Sequence, residues 1–267
     1  MNIKIFKQAI ISITAFLLLF GCATSKKAPL SNIDGSPVLR VGICPDYPPV
    51  IYKKGDKICG IEAELADYIG KKLDAKIDYY TMPLKNLIPE LEKGKIDIIM
   101  SGLSDAHIRK SKVRFTEPYM NSGLMALVKR SDFDKYNSYT NVYKALKIGC
   151  IDGTTGETFV KENAKKAECI VFANDKEGLE ALEKGEIDAF VDDAPFVLQN
   201  ANDNKNFAAL PWLLSNDRLA WAMSKKRSSD YLYHRLNKII NHARQNGDLR
   251  RILNKYFEIQ IKVKPLP

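Results

Sequence analysis

The chain has 267 residues, of which 45% are hydrophobic and 27% charged, and its formal net charge is +9. This composition is that of a globular protein with room for one large domain or two modest ones. Its lysines are scattered, and no basic stripe is interleaved with aromatic residues, so the charge does not indicate a nucleic-acid partner.

Residues 1–22 have the layout of an export signal. Lys4 and Lys7 precede an apolar stretch, 9–20, which as a helix would span about 18 Å, short of the roughly 30 Å core of a bilayer. A charged start, a short apolar middle and a small-residue end are typical of signal peptides. The run LFGC at 19–22 resembles the lipobox of bacterial lipoproteins, which implies that Cys22 is lipidated. The alternative is a plain signal peptide with an incidental cysteine.

Strand-like and helix-like segments alternate after a small, polar, proline-bearing stretch at 23–37, which suits a flexible tether. Strands are predicted at 38–43, 76–80 and 96–100, and helices at 61–73 and 83–94. This alternation predicts a mainly parallel sheet with helices on both faces.

A second unit repeats the first. The segment LEKGKIDIIM at 91–100 returns as LEKGEIDAFV at 182–191, and each predicts a helix end, a glycine stop and a buried strand. Further strands are expected in 145–151 and at 168–172, with helices after Gly153 and at 175–185. Two similar α/β lobes explain the repeat better than one long sheet.

Two extended apolar segments, 123–129 and 218–225, flank the second unit and are predicted to be hinge strands connecting the lobes. Lobe 1 is therefore expected to comprise 38–122 and, after the chain returns, 222–267, whereas lobe 2 comprises 123–221 including the hinge strands. The returning chain is predicted to add two long helical stretches separated by Gly247.

Polar residues follow the predicted strands, at the edge where open parallel sheets bind ligands. These segments are 44–49, 101–104 with Arg109 a turn later, 152–156 and 192–195. An arginine together with the free N–H groups of a helix N-terminus suits a carboxylate, and an aspartate on the opposite edge suits an ammonium group. The combination predicts a site for a zwitterionic α-amino acid.

These segments, in this order, resemble the periplasmic solute-binding proteins of polar amino-acid ABC importers, family 3. The resemblance runs from about Val38 to Phe257 and rests on LRVG with YPP, the Gly60-Ile61-Glu62 start, SGLS with Arg109, FTEPY, GTTGE and IDAFVDDAP. It implies an α/β, two-lobed periplasmic-binding-protein-like fold of type II, with two parallel-rich sheets joined by two hinge strands. It further implies a monomer without cofactor, working with an ABC permease at the periplasmic or cell-surface side of a membrane to which lipid anchors it.

The resemblance also implies roles for individual residues. Arg109 would hold the ligand carboxylate with the Thr155 amide and hydroxyl, and Asp193 would take the α-amino group near Ser104 and the Gly102 carbonyl. Tyr47 would cover one side of the ligand and Ile61 would line the other. The remaining site residues would be Ser101, Thr154 and Cys44. The structural alternatives are helix capping by Asp193 or Thr155 and a surface ion pair for Arg109.

The chain departs from the family pattern at positions that bear on ligand choice. Cys44 stands where an acid is frequent, Ala106 where threonine is frequent, and Ile61 where a bulky aromatic is common. The missing acid disfavours a cationic ligand side chain unless Asp46 or Glu157 reaches the site. The pattern therefore favours an uncharged polar or medium-sized amino acid.

Two other functions compete with amino-acid delivery. Cyclohexadienyl or arogenate dehydratases have a related fold, and such chemistry needs a general acid, for which Glu157, Asp192 and His107 are candidates. Asp192 is expected to point away from Asp193, and a Ser104/His107 pair lacks an orienting acid. We therefore expect no enzymatic activity. A free-standing amino-acid-sensing lipoprotein is the second alternative.

The four cysteines after Cys22 show no metal-binding spacing, and the three histidines are scattered, so no metal site is expected. Because disulfides persist outside the cytoplasm, the local pairs Cys44–Cys59 and Cys150–Cys169 are possible bridges. Buried free thiols fit the sequence equally well.

Overall fold

The computed structural model describes residues 30–33, 36–136 and 141–256. The predicted signal segment with Cys22, most of the predicted tether and residues 257–267 lie outside these ranges. The described residues form two α/β lobes joined by a pair of short strands. No helix within them is both long and apolar enough to cross a bilayer.

Lobe 1 begins with a run of strands and helices up to residue 115. The strands are β1 (Ser31–Ile33), β2 (Ser36–Ile43), β3 (Asp46–Tyr47), β4 (Ile51–Lys54), β5 (Lys57–Cys59), β6 (Lys76–Thr81), β7 (Ile98–Ile99) and β8 (Val113–Phe115). The helices are α1 (Ile61–Leu73), α2 (Leu84–Lys93) and the short α3 (His107–Lys110). Strand β9 (Met120–Ser122) then leads out of the lobe.

Lobe 2 follows and contains its own sheet and helices. Its strands are β10 (Leu124–Lys129), β11 (Lys147–Ile151), β12 (Glu168–Phe172), β13 (Ala189–Asp193) and β14 (Phe207–Ala209), and its helices are α4 (Thr155–Asn163), α5 (Asp175–Lys184) and α6 (Ala194–Asp203). The chain returns through β15 (Asp217–Leu219) and completes lobe 1 with β16 (Ala222–Ser224), α7 (Asp230–Gln245) and α8 (Asp248–Asn254). Short 3-10 helices occupy Arg130–Tyr136, Val142–Lys144 and Arg227–Ser229.

The two main sheets have the same topology. The order of the main strands in lobe 1 is β6-β2-β7-β16-β8, with β1 added antiparallel to the start of β2, and in lobe 2 it is β12-β11-β13-β10-β14. In each sheet three parallel strands are followed by an antiparallel strand, β16 or β10, that arrives from the other lobe. The predicted parallel-rich, two-lobed fold is confirmed. Two lobes form because each sheet buries its own set of apolar side chains.

The connection between the lobes differs slightly from the prediction. Strands β9 and β15 pair antiparallel, with Asp217 opposite Ser122 and Leu219 opposite Met120. The predicted hinge segment 123–129 is instead strand β10 of lobe 2, and most of 218–225 belongs to lobe 1. The apolar residues on which that prediction depended lie mostly in the buried strands β10 and β16, next to the crossing. The crossing strands β9 and β15 are themselves only three residues long.

The repeated LEKG sequence ends two helices in the same way. Gly94 and Gly185 follow α2 and α5 with φ of 79° and 76°, and each donates its N–H to carbonyls of the preceding turn. This left-handed conformation is accessible to glycine at low cost, which is why helices often end at it. The glycine stop therefore sends the chain into β7 and β13, whose carboxyl ends carry site residues.

Cys150 and Cys169 lie on the neighbouring parallel strands β11 and β12 with their Sγ atoms 3.1 Å apart, and both are free thiols. Cys44 and Cys59 are also free and contact Asp46 and the Lys57 carbonyl, respectively. Of the two possible bridges raised by the sequence, only the 150–169 pair has its sulfur atoms in contact.

We expect oxidised glutathione to convert Cys150 and Cys169 into a disulfide, stabilising the protein by about 3 kcal/mol, because the bridge closes a loop of roughly twenty residues in the unfolded chain. Burial raises the pKa of Cys150, so the reaction is slow and needs long incubation. Peptide mass mapping and thermal denaturation measure both effects. The Cys169→Ser variant should show neither, and a 44–59 bridge in the wild type would contradict the prediction.

Candidate functional site

A cleft of about 750 Å³ lies between the lobes, at the carboxyl ends of the parallel strands of both sheets. Its lining comes from both lobes and includes most of the polar residues that follow those strands: Cys44, Asp46, Tyr47, Ser101, Gly102 and Arg109 from lobe 1, and Asp152, Thr154, Thr155, Asp175, Asp192 and Asp193 from lobe 2. A volume of this size is typical of small-molecule sites.

Arg109 projects from α3 into the cleft. Its Nη1 donates to the hydroxyl and carbonyl oxygens of Ser104 at 3.0 and 3.3 Å, and its Nη2 donates to the Gly153 carbonyl of lobe 2 at 3.3 Å. Burial lowers the pKa of Arg109, against the attraction of Asp193 and Asp217. No carboxylate in the described ranges forms an ion pair with it, so its charge is available to an anionic ligand group.

The loop that carries Arg109 is fastened to the second crossing strand. Ser104 forms an isolated β-bridge with Leu219, the Asp105 N–H donates to the Arg218 carbonyl, and Arg218 forms an ion pair with Asp105 at 2.5 Å. The position of Arg109 is therefore linked to the strands that join the lobes.

Asp193 ends β13 on the opposite wall. Its Oδ1 is buried and has no hydrogen-bond partner within the described ranges. Burial, followed by repulsion from Asp217, raises its pKa to about 7, whereas Arg109 opposes the rise. Asp193 occupies the residue before α6 but makes no side-chain capping bond, so the N-cap alternative is wrong for its carboxylate.

Asp192 lines the same cleft, which contradicts the expectation that it points away. Its Oδ1 accepts the N–H of Asp193 at 2.6 Å, so the side chain folds along the strand end instead of alternating to the far face. Burial, with Asp175 and Asp193 nearby, raises the pKa of Asp192 well above its usual range. The cleft thus contains two adjacent carboxylates.

The N-terminus of α4 faces the cleft between these groups. Thr154 is its N-cap, accepting the Glu157 N–H at 3.2 Å and donating to the Ile151 carbonyl at 2.7 Å. Thr155 is the first helical residue and lines the cleft without a capping role. Its N–H group is one of the first in the helix, where a helix N-terminus presents donors to an anion.

Tyr47 and Gly102 pack against each other at the lobe 1 wall. A Cβ on Gly102, whose φ is +63°, would lie 2.4 Å from Cε1 of Tyr47. The Tyr47 ring also lies 6.3 Å from that of Phe196 in lobe 2. Glycine at 102 therefore permits both the turn after β7 and the ring position.

We expect Gly102→Ala to displace the Tyr47 ring and weaken ligand binding at least about tenfold, with a stability loss of roughly 1–2 kcal/mol from the left-handed backbone. Calorimetric titration and thermal denaturation measure the two effects. Gly94→Ala is a matched control because its φ is also positive but nothing lies within 4 Å of the added Cβ. Equal loss of affinity in both variants would contradict the explanation.

Three further residues predicted for the site, Ser101, Cys44 and Ser104, interact with neighbouring groups of the protein. The Ser101 hydroxyl accepts the Cys44 N–H at 2.8 Å and joins the ends of β7 and β2. Burial, and then Asp46, raise the pKa of Cys44 to about 11, so its thiol stays neutral. Ser104 is buried behind Arg109 and does not line the cleft.

Ile61 does not line the cleft either, which corrects the predicted apolar wall. It is fully buried in the lobe 1 core at the start of α1, where its N–H donates to the Pro49 carbonyl. The first turn of α1 is held against the 49–50 segment, and this directs Ile61 inward. Met82, Pro83 and Leu84 supply apolar lining instead.

The sequence reasoning missed Glu62 and Asp175. Glu62 is fully buried, and its Oε2 accepts the Gly102 N–H at 2.8 Å. Asp175 lines the cleft from the first turn of α5, after β12. The strand-end rule that selected the other segments also applies after β12 and would have found Asp175. No local pattern shows that Glu62 is buried.

Glu157, one candidate for a catalytic acid, is engaged elsewhere. Its carboxylate accepts the Gly153 N–H at 2.8 Å and pairs with Lys161 at 2.6 Å, and the bond to Lys161 chiefly lowers its pKa. A lowered pKa is the reverse of what a general acid at neutral pH requires. Within the described ranges, no three His, Cys, Asp or Glu side chains are grouped so as to hold a metal ion.

The family model of bacterial extracellular solute-binding proteins, family 3, matches residues 39–259. The chain belongs to this family. The glutamine-binding protein of an ABC transporter from Bacillus subtilis is 27% identical, covering 96% of this chain and 97% of that one. The family assignment made from the sequence motifs is therefore confirmed.

Two solved structures of other binding proteins have a similar fold. An ancestral amino acid-binding protein, described as a precursor of cyclohexadienyl dehydratase, is 30% identical with a TM-score of 0.76, covering 82% of this chain and 95% of its own. A putative ABC-transporter binding component from Wolinella succinogenes, complexed with lysine, is 26% identical with a TM-score of 0.78, covering 83% and 96%.

Proposed function

We propose that this family 3 protein captures an L-amino acid or close analogue in the cleft and delivers it to an ABC importer. The observation that carries the proposal is the opposition of charges across the cleft. Within the described ranges Arg109, partly buried beside the N-terminus of α4, has no ion-pair partner, and a buried oxygen of Asp193 has no hydrogen-bond partner. A ligand carboxylate bound to Arg109 and a ligand ammonium group bound to Asp193 would satisfy both side chains.

Site roles follow from this arrangement. Arg109 and Thr155 receive the ligand carboxylate, while Thr154 holds the N-terminus of α4 in place beside them as its N-cap. Asp193 with the Gly102 carbonyl receives the α-amino group. Tyr47, with Ser101 and Cys44 behind it, forms the wall. Ser104 acts through Arg109 by accepting two hydrogen bonds from it. Closure of the lobes about β9 and β15 would bury the ligand, since these crossing strands hold the Arg109 loop.

We also propose where in the cell the protein is found. We infer that it is exported, and that Cys22 carries a lipid that holds a monomer beside its permease at the periplasmic or cell surface. Expression of the full chain and of Cys22→Ser, followed by membrane fractionation, tests the anchor. Wild-type protein in the membrane pellet and the variant in the soluble fraction are expected, and identical fractionation would contradict it.

The experiment for binding is a thermal-shift screen of the standard amino acids with cystine and ornithine. A ligand at one hundred times its Kd stabilises the native state by about 2.7 kcal/mol, which for a protein of this size raises Tm by several degrees. Absence of any shift across the panel would overturn the proposed function. D-enantiomers are a control, because they cannot satisfy Arg109 and Asp193 with the same side-chain direction.

An enzymatic alternative has one observation in its favour, the raised pKa of Asp192 in the cleft. An acid that stays protonated near neutral pH is what a dehydratase needs. We propose that the protein is not an enzyme, since burial beside the carboxylates of Asp175 and Asp193 explains that pKa without catalysis. Incubation with prephenate or arogenate should give no aromatic product, and product formation that is lost in Asp192→Asn would reverse this assignment.

A further inference from the structure

The cleft contains more negative charge than an α-amino acid backbone uses. Five aspartates line it, against Lys53, Lys85 and Arg109. Arg109 and Asp193 are assigned to the α-carboxylate and α-amino group. Lys53 interacts with Asp56, which does not line the cleft, at 3.8 Å, and Lys85 is exposed and forms no ion pair with a described cleft aspartate, so four aspartates face two exposed lysines. A surplus of carboxylates therefore remains for another part of the ligand.

Three of these carboxylates come from different elements and act on one another. Asp46 lies on β3 of lobe 1, Asp175 opens α5, and Asp192 lies on β13. Burial, and then Asp46, raise the pKa of Asp175 to about 7, although the N-terminus of α5 favours a negative charge there. Asp175 in turn raises the pKa of Asp192. The three groups are therefore close enough to repel one another when ionised.

No basic side chain in the described ranges forms an ion pair with Asp46, Asp175 or Asp192. Asp46 is exposed at the cleft, whereas Asp175 and Asp192 are partly buried. Partly buried carboxylates that face one another without a counter-charge are costly, and a bound cation removes that cost. The buried Oδ1 of Asp193, next to Asp192, has no hydrogen-bond partner in the described ranges, so the protein leaves acceptors in this cleft for donors of the ligand.

Apolar side chains line the cleft as well. Met82, Pro83 and Leu84 contribute from lobe 1 and Ile151 from lobe 2. An aliphatic chain ending in a cation matches a cleft with apolar walls and a set of carboxylates. A short uncharged side chain would leave those carboxylates repelling one another.

We propose that the ligand is an L-amino acid with a positively charged side chain, whose cationic group lies among Asp46, Asp175 and Asp192. This proposal rests on the proposed function, in which Arg109 and Asp193 hold the amino-acid backbone. It revises the preference for an uncharged ligand drawn from Cys44, because Asp46 supplies the missing acid from two residues further along the chain, while Asp175 and Asp192 add to it from lobe 2.

The test compares L-arginine with L-citrulline by calorimetric titration at about pH 8, which is above the pKa of about 7 to which burial and Asp46 raise Asp175. The two ligands have almost the same shape and differ in the charge of the terminal group. We expect arginine to bind at least about tenfold more tightly than citrulline. Asp175→Asn should reduce this ratio severalfold while changing the citrulline affinity much less.

Glu180→Gln is the matched control, because it removes one negative charge from the same helix at an exposed position that does not line the cleft. It should leave the arginine-to-citrulline ratio unchanged. Equal binding of the two ligands, or binding of neutral amino acids with rejection of both arginine and lysine, would overturn this inference and leave the proposed function intact. Failure of every amino acid to bind would overturn both.

Discussion

Replacing Arg109 by alanine is expected to abolish amino-acid binding, with a loss of about 3 kcal/mol or more, which is over 100-fold in Kd. The guanidinium is the group through which we propose the ligand carboxylate binds, and the N-terminus of α4 alone lacks its full charge. Asp193→Asn should cause a comparable loss by removing the partner of the ligand ammonium. Calorimetric titration with the best ligand of the thermal-shift screen measures both.

Both variants should remain folded. The Arg109 side chain donates hydrogen bonds to Ser104 and Gly153 and has no ion-pair partner within the described ranges, and Asp193 makes no capping bond that the substitution would break. Arg251→Ala is a suitable control, since Arg251 is exposed, forms an ion pair with Asp248 and does not line the cleft. Circular dichroism checks the fold. If Arg109→Ala and Asp193→Asn both retain wild-type affinity, the ligand binds elsewhere.

Replacing Glu62 by alanine is expected to destabilise the protein by about 3 kcal/mol, because the Gly102 N–H would lose its acceptor in a fully buried site. Tyr119 and Trp221, next to the crossing strands, lower the pKa of the Glu62 carboxyl. The buried Tyr119 hydroxyl and Trp221 Nε1–H have no hydrogen-bond partner in the described chain. Denaturant unfolding measures the stability. Because Gly102 lines the cleft, affinity should fall as well.

The Glu62→Gln variant is expected to become more stable than the wild type as the pH rises. Burial raises the pKa of Glu62 to about 8 in the folded state, so between the unfolded pKa near 4.5 and pH 8 the folded chain holds a proton that the unfolded chain has lost. Stability of the wild type therefore decreases across this window by up to about 1.4 kcal/mol per pH unit from this group, and becomes constant above it.

Unfolding curves of the wild type and of Glu62→Gln at a series of pH values test this pH dependence. Their difference should widen from about pH 5 to about pH 8 and then stay level, since glutamine cannot ionise. Glu64→Gln is the comparison on the same helix: Glu64 pairs with Lys255 and Tyr256, and its pKa is lowered. A constant difference between wild type and Glu62→Gln at every pH would contradict an elevated pKa.

The family, the α/β class and the two-lobed organisation followed from the sequence because their signals are local. Residues 61–73 have helical periodicity and form α1 with the same bounds. The repeated LEKG-x-ID segments predicted two helix stops, and Gly94 and Gly185 end α2 and α5 in the same left-handed conformation. A glycine stop and a strand end depend on a few neighbouring residues, so they can be found without knowledge of the rest of the chain.

The charge and shape of the cleft were decided only by the tertiary structure. Ile61 turns into the core because its N–H is held by Pro49, and Ser104 lies behind Arg109 instead of facing a ligand. Asp46 and Asp175, 129 positions apart in the chain, line one cleft because β3 and the start of α5 border it from the two lobes. Such contacts depend on how the loops of two separate sheets are arranged in space. The residue pattern within one segment carries no information about that arrangement.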